Sequence, residues 1–194
     1  MYMTTVRSDP KPSVVRARDL GVSPSALAKL LEKGLLERPG RGVYGTTSGM
    51  TERRTLVEAA VRVPHGVVCL LSALDIHGLG SQAPYGVWMA IDVKARKPRA
   101  DWLPLRIVRF SGAARHFGVE TMRFEGVDVR VTSAEKTVVD CFKYRTRQVG
   151  LDVAIEALRD YLSRSKRSVG ALMEAARVCR MHNVMRPYIE ALVA

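Results

Sequence analysis

The side chains best suited to chemistry are small polar and basic residues within 13–45, whose groups bind phosphates and base edges. Ser23 and Pro24 predict a helix start, because a serine hydroxyl accepts hydrogen bonds from free first-turn N–H groups and proline fits the first helical position. Leucines at spacing i, i+3 and i+4 then form one apolar stripe, which leaves small and basic residues on the other face. We expect groove contacts from Ser23, Ser25 and Lys29. The alternative is a helix surface that meets only solvent.

A basic hairpin is predicted directly after this helix. Gly34 is typical of a helix end, and residues 35–44 have the pattern of two strands joined by a tight turn. Arg38 and Arg41 are expected to contact the minor groove or phosphates, the alternative being that their charge only keeps the hairpin soluble. Tyr44 is expected in the hairpin's core. A helix with a small-residue face followed by such a hairpin favours DNA recognition over catalysis.

A short helix is also expected over residues 13–20, before the helix just described. Arg16 and Arg18 lie on its outer face, where we expect them to hold the DNA backbone. Together these elements predict a winged helix-turn-helix. Such a module usually begins with a further helix, and residues 1–12, which contain two prolines, do not supply a good one. Either the module is abbreviated, or a helix predicted at residues 51–63 packs in its place.

The charge of the chain indicates a polyanionic partner. Its 194 residues include 31 Lys and Arg against 19 Asp and Glu, a net charge of +12. The net charge is +4 in each of the segments 1–50, 51–110 and 111–194, with 8 basic and 4 acidic, 9 and 5, and 14 and 10 residues. The excess therefore extends beyond the DNA-binding segment. No apolar run reaches the ~18 residues of a membrane span, and no apolar segment typical of a secretory leader is present.

Cysteine and histidine usage gives no indication of a metal site or of catalysis. Three widely spaced cysteines without a CxxC pair predict reduced, buried thiols in a cytoplasmic protein: Cys69, Cys141 and Cys179. Cys179 and His182 would supply only half of a metal site. Four dispersed histidines and the absence of a nucleophile, P-loop or HExxH motif lead us to expect neither enzymatic activity nor a cofactor.

The remainder of the chain predicts a second, larger domain of strands followed by helices. Four strands are expected at Val87–Val93, Leu105–Phe110, Val119–Phe124 and Val127–Val131, and helices from Ser133 onward. The predicted fold class is α+β: a winged helix-turn-helix followed by a mixed domain with a mainly antiparallel four-stranded sheet and C-terminal helices. The predicted divisions are a flexible arm (1–12), the DNA-binding domain (13–48) and the C-terminal α/β domain (49–194).

Four segments together resemble the AbiEi antitoxins of type IV toxin–antitoxin, or abortive-infection, systems. They are RGVYG (41–45), LLSALDIHGL (70–79), VTSAEKTVVDCFKYR (131–145) and GLDVAIEALRDYL (150–162). The resemblance implies a bacterial autorepressor that binds double-stranded DNA at inverted repeats in its own promoter. We also expect a monomer or weak dimer that pairs on the DNA, because small modules gain specificity by binding as pairs. The resemblance also implies a C-terminal domain that opposes a nucleotidyltransferase toxin, without a stable complex.

The resemblance also implies an antitoxic role for a basic cluster after residue 142, formed by Lys143, Tyr144, Arg145 and Arg147. The alternative for these residues is structural, because cations complement the negative C-terminal end of a helix. Asp140, one turn earlier, is expected to have a structural role, either pairing with a neighbouring base or bonding the preceding loop. For the protein as a whole, the alternative is a stand-alone winged-helix transcriptional regulator whose C-terminal domain senses a ligand or partner.

Overall fold

The computed structural model describes residues 12–46, 53–99 and 101–193, which form two sheets and seven α-helices. The class α+β is confirmed. The strands are Val14–Arg16 (β1), Leu36–Gly40 (β2), Val43–Thr46 (β3), Val67–Val68 (β4), Val87–Asp92 (β5), Leu105–Phe110 (β6), Val119–Phe124 (β7) and Val127–Thr132 (β8). The helices are Pro24–Glu32 (α1), Arg54–Arg62 (α2), Leu70–His77 (α3), Ala134–Lys143 (α4), Leu151–Ser163 (α5), Val169–Val178 (α6) and His182–Val193 (α7). Apart from Pro12, the arm predicted at 1–12 lies outside the described residues.

The smaller sheet contains the predicted hairpin and one strand that the sequence did not predict. Its order is β1-β3-β2, with both pairings antiparallel. The helix expected over residues 13–20 is wrong: β1 and a 3₁₀ turn, Ala17–Asp19, occupy this segment. Val14 and Val15 are β-branched and favour a strand. β1 pairs with the free edge of β3, and Val14 is buried there.

Helix α2 lies between the two sheets, and apolar side chains of the helix pack against each sheet. One set of its side chains packs on the larger sheet at spacing i, i+3, i+4: Leu56, Ala59 and Ala60. Val57 points the other way and packs with Val14 and Val43 of the smaller sheet. Of the two alternatives for the missing first helix, this packing favours the second. The helix predicted at 51–63 packs on the winged-helix module, although residues 51 and 52 lie outside the described part.

The larger sheet has five strands in the order β6-β5-β4-β8-β7, so the predicted four-stranded, mainly antiparallel sheet is wrong. The pairs β5/β6 and β4/β8 are parallel, whereas β4/β5 and β7/β8 are antiparallel. Strand β4 has only two residues within a longer apolar run, which gives no period to recognise. The connection 93–104 is about a dozen residues long, enough for the crossover that a parallel pair requires.

The C-terminal helices cover the opposite face of the larger sheet from α2. Successive side chains of β5 point to opposite faces of the sheet. Met89 and Ile91 belong to the same hydrophobic cluster as Leu56, Ala59 and Ala60 of α2, whereas Ala90 packs with α4 to α7. The protein therefore has three layers: α2 with the smaller sheet, the five-stranded sheet, and the C-terminal helices. Three thiols are buried and unpaired in the structure: Cys69, Cys141 and Cys179.

Candidate nucleic-acid interface

The N-terminus of α1 is exposed and has the predicted serine cap. The Ser23 hydroxyl accepts a hydrogen bond from the Ala26 N–H at 3.3 Å, and Pro24 is the first helical residue. The hydroxyls of Ser23 and Ser25 are 3.1 Å apart. Both serines and Lys29 are exposed, so the three predicted groove residues share the accessible surface of α1. The positive end of the helix dipole adds to their attraction for phosphate.

The predicted wing arginines lie at different places on the hairpin. Arg41 is exposed in the turn before β3, where Gly42 adopts φ +76°, a conformation that favours glycine. Arg38 lies within β2, exposed, and its guanidinium carbon is 5.9 Å from the centroid of the Tyr44 ring. Tyr44 itself is buried, as expected. The hairpin thus presents one arginine at its tip and one along its edge.

Arg16 and Arg18 have different environments, and neither is on a helix that could cross DNA. The Arg16 guanidinium donates through Nε and Nη2 to the Val61 carbonyl oxygen, the Nε bond being 2.7 Å long. Burial, and then the charge of Arg18, lowers the pKa of Arg16 from its ordinary value. Arg18 is exposed, with its Nε 3.5 Å from Asp19. Arg16 therefore joins β1 to α2, whereas Arg18 extends into solvent.

Arg16, Arg18 and Arg41 form a cleft together with a fourth arginine that no sequence pattern predicted. Arg62, in the last turn of α2, lines a cleft of about 360 Å³ with Arg16, Arg18 and Arg41. Among the described residues, Asp19 is the only carboxylate paired with any of the four, and it pairs with Arg18 alone. One carboxylate balances the positive charge of only one of the four guanidinium groups. The cleft therefore favours binding of an oxyanion such as a phosphate. Arg62 gave no signal in the sequence because it is far from the hairpin and reaches it only through the packing of α2.

A buried arginine holds α2 against the smaller sheet beneath this surface. Arg54 is 7% exposed and forms ion pairs with Glu37 of β2 and with Glu58, at 2.9 Å, one turn along α2. Its Nη1 also lies 3.3 Å from the Thr46 carbonyl oxygen. Because two carboxylates and backbone oxygens satisfy it, Arg54 is a structural residue and not a phosphate ligand. No local pattern in the sequence distinguishes Arg54 from the exposed arginines.

The C-terminal basic cluster lies at the end of α4 and is divided between bonded and exposed side chains. The Tyr144 hydroxyl donates to the Arg109 carbonyl oxygen at 2.7 Å, and burial raises the pKa of Tyr144. Arg145 Nη1 donates to the Phe142 carbonyl oxygen at 2.8 Å. Lys143 and Arg147 are exposed. Two of the four predicted residues thus stabilise the local fold, and two remain accessible to a partner.

Asp140 forms a buried ion pair inside the helical layer. Lys136 and Asp140, one turn apart on α4, are 0% and 1% exposed at the side chain and pair directly. The Lys136 ammonium is 4.2 Å from the centroid of the Phe110 ring, and Cys179 Sγ is 3.8 Å from Asp140 Oδ1. Burial raises the pKa of Asp140, with the neighbouring Lys136 acting against that rise. The pair has no access to solvent, so its role is structural, as expected.

Among the described residues, no group of three or more histidine, cysteine or acidic side chains could hold a metal ion. Cys179 is buried next to Asp140, and the His182 ring contacts its neighbour Asn183. In the same part of the chain, no helix has the length and hydrophobicity needed to cross a bilayer.

Residues 11–47 match a family model described as a transcriptional regulator, AbiEi antitoxin. This segment is similar to the regulator domain of the AbiEi antitoxins. The resemblance seen in the sequence is thereby confirmed for this segment. The AbiEi match contains all the predicted DNA contacts: Arg16, Arg18, Ser23, Ser25, Lys29, Arg38 and Arg41. Arg62 lies outside the AbiEi segment but completes its arginine cleft.

The fold of the whole chain is similar to a solved structure, the crystal structure of the RV2827C protein from Mycobacterium tuberculosis. The TM-score is 0.58 at 17% identity, and the similarity covers 94% of this chain and 76% of the other. At that identity the similarity shows the fold alone. No curated protein matches the sequence. The AbiEi match concerns residues 11–47 and supports a DNA-binding role for that segment.

Proposed function

We propose that the protein is a type IV antitoxin that represses its own operon by binding inverted repeats in its promoter. The observation that carries this proposal is the four-arginine cleft beside the wing turn, within and next to the AbiEi domain. In the proposed complex the exposed start of α1 faces the groove and supplies Ser23, Ser25 and Lys29. Arg38 and Arg41 contact the minor groove or phosphates, and Arg18 contacts phosphates with the cleft.

We further propose that two molecules bind side by side on the repeats. One short helix and one hairpin reach few base edges, and small modules gain specificity by occupying two half-sites. A monomer or weak dimer in solution is consistent with this arrangement.

Titration of the promoter DNA tests the regulatory role. The wild-type chain should bind its own promoter in preference to unrelated duplex, with two protected half-sites in a footprint. The variant Arg38→Ala/Arg41→Ala should bind more weakly. The negative slope of log K against log salt should become less steep by about 2, since each phosphate contact contributes about 0.9. A promoter affinity equal to that for unrelated DNA would contradict autorepression. An unchanged slope in the double variant would contradict the wing assignment only.

The proposed antitoxic role belongs to the C-terminal domain, acting on a nucleotidyltransferase toxin without a stable complex. The exposed side chains of Lys143 and Arg147 are its best accessible candidates, because Tyr144 and Arg145 bond to the backbone. Co-expression with the toxin tests this directly. The variant Lys143→Gln/Arg147→Gln should lose protection, whereas the charge-matched control Arg159→Gln/Arg177→Gln should keep it. Equal protection by both variants would remove these two residues from the antitoxic surface.

A second candidate function is a stand-alone regulator whose C-terminal domain senses a ligand or partner. One contact favours this candidate. Trp102, in the connection between β5 and β6, lies against Gly40 of the wing. A partner that moved the segment holding Trp102 would therefore move the wing. Failure of the wild-type chain to neutralise a toxin encoded beside it, combined with specific promoter binding, would favour this candidate.

A further inference from the structure

The connection between β5 and β6 carries a dense basic segment outside the AbiEi domain. Lys94, Arg96, Lys97 and Arg99 are all exposed. The last three line a cleft of about 470 Å³, together with a single acidic residue, Asp101. Within the described part of the chain none of these cations forms an ion pair. We call residues 94–99 the basic loop.

The start of the basic loop is held in place by hydrogen bonds from the sheet. Arg109 Nη1, on β6, lies within 2.7–2.9 Å of the carbonyl oxygens of Asp92, Val93 and Ala95. The Lys94 N–H donates to the Asp92 carboxylate at 2.6 Å. These bonds fix the backbone from which the cations project, so less conformational entropy is lost when the loop binds a partner.

The end of the basic loop is held by α2, next to the winged-helix module. Arg62 donates to the Arg99 carbonyl oxygen through Nε at 3.1 Å and Nη2 at 2.7 Å. Its guanidinium carbon is also 5.7 Å from the centroid of the Trp102 ring. The same ring lies against Gly40 of β2, where a Cβ would overlap it. Arg62 therefore belongs both to the four-arginine cleft and to the support of the basic loop.

We infer that the basic loop is a second DNA contact, which binds backbone phosphates of the same duplex next to the segment held by the wing. This inference rests on the proposed function, since it takes the wing as a DNA-binding surface. Three observations support it: cations without carboxylate partners, a backbone fixed at both ends, and continuity with the arginine cleft through Arg62. Such contacts are independent of sequence and add affinity. The DNA-binding surface thus extends from the AbiEi domain onto the C-terminal domain.

Salt-dependent binding by the full chain tests the inference. The loop variant is Arg96→Gln/Lys97→Gln/Arg99→Gln, with Arg38→Ala/Arg41→Ala as the wing variant. The matched control, Arg159→Gln/Lys166→Gln/Arg177→Gln, removes the same charge from exposed residues of the helical layer, on the other side of the five-stranded sheet. Each protein is titrated with its promoter and with an unrelated duplex of equal length, at several salt concentrations.

The loop variant should bind both duplexes at least about tenfold more weakly at physiological salt, and its slope should fall by about 2–3, as expected for three phosphate contacts. The control should retain the wild-type slope. A loop variant indistinguishable from the control, while the wing variant weakens, would overturn the inference and leave the proposed function standing. If the wild-type chain binds its promoter no more tightly than the unrelated duplex, the proposed function is contradicted. Binding of the loop variant to the unrelated duplex still tests the inference in that case. Normal DNA binding combined with lost toxin protection would assign the loop to the antitoxic surface and overturn the inference.

Directed cleavage gives a second measurement that does not depend on net charge. The three native thiols are buried, so a surface cysteine can be labelled selectively with iron–EDTA. Labelled Arg41→Cys and Lys97→Cys should each cut the promoter, at adjacent but different positions, and Arg177→Cys should not cut. Cutting from position 41 without any cutting from position 97 would overturn the inference.

Discussion

The indole ring of Trp102 lies directly against the backbone of Gly40 in the wing strand β2. Any Cβ at position 40 would overlap carbon atoms of the ring. The indole Nε1 is buried and, among the described residues, has no hydrogen-bond partner, so apolar packing and the Arg62 guanidinium hold the ring. A glycine in the wing and a tryptophan in the larger domain therefore fix where the two parts of the molecule meet.

Gly40→Ala should displace the indole and destabilise the protein by about 1–3 kcal/mol, the usual cost of overpacking. The fluorescence emission of Trp102 should change at the same time, because the displaced indole becomes more accessible to water. The measurement is urea unfolding with tryptophan emission in a Trp88→Phe background, so that a single indole reports.

Gly170→Ala is the matched control for that substitution. A Cβ at position 170, in the first turn of α6, meets only the Ser168 hydroxyl, at 4.0 Å. Alanine is the better helix former, so this variant should be neutral or stabilised by up to about 1 kcal/mol. Equal stability of Gly40→Ala and the wild type would show that the indole can move without cost.

The buried pair Lys136–Asp140 should be far more sensitive to the loss of one partner than to the loss of both. Asp140→Asn or Lys136→Met alone leaves a polar or charged group buried without its partner, at a cost of about 3–5 kcal/mol in the free energy of unfolding. Lys136→Met/Asp140→Leu removes both charges and should cost much less than the sum. A double-mutant cycle by urea unfolding measures the coupling.

An exposed pair with the same spacing provides the comparison. Arg186 and Glu190 are also one turn apart, at 2.7 Å, with side chains 65% and 63% exposed. Arg186→Ala should leave the free energy of unfolding close to that of the wild type, because water screens an exposed ion pair. If the effects of Lys136→Met and Asp140→Leu on the free energy of unfolding simply add in the double variant, the coupling between the two buried residues is contradicted.

Local signals predicted most elements of this fold, but not β1, β4 or the way the elements meet. Ser23 and Pro24 predicted the start of α1 correctly, and the four alternating runs predicted strands β5 to β8. Val14 was assigned to a helix because its partner, the edge of β3, is distant in sequence. Strand β4 is too short to show a period. Arg62 reaches the cleft only because α2 packs between the two sheets, a relation that no local pattern contains.

Alkaline pH should weaken the protein partly through Tyr161. Its buried hydroxyl is 2.8 Å from Glu135 Oε1 and accepts a hydrogen bond from the Ser168 N–H at 2.9 Å. Burial, together with the bond to Glu135, raises the pKa of Tyr161 to about 12 from 10. Since the folded state holds the proton more tightly than the unfolded state, this stabilisation is complete below pH 10 and is lost as the pH rises toward 12.

Tyr161→Phe isolates that contribution. The variant should lose about 1–3 kcal/mol at neutral pH, because Glu135 and the Ser168 N–H lose a partner, and its stability should fall less steeply above pH 10. Urea unfolding of both proteins between pH 8 and 11.5 gives the difference. Parallel stability curves for the two proteins across that range would contradict the raised pKa.

Ser23 caps α1 and, in the proposed complex, also faces DNA; two substitutions separate the observed role from the proposed one. Aspartate caps helices about as well as serine, so Ser23→Asp should keep the free energy of unfolding within about 0.5 kcal/mol of the wild type. The same change places a negative charge beside the phosphates and should weaken promoter binding by on the order of tenfold, about 1.4 kcal/mol. Ser23→Ala should instead destabilise the fold by about 1 kcal/mol through loss of the cap. Unfolding and promoter titration of both variants supply the test: wild-type affinity in Ser23→Asp would place the start of α1 away from the DNA and leave the arginine cleft and the wing as the contact surface.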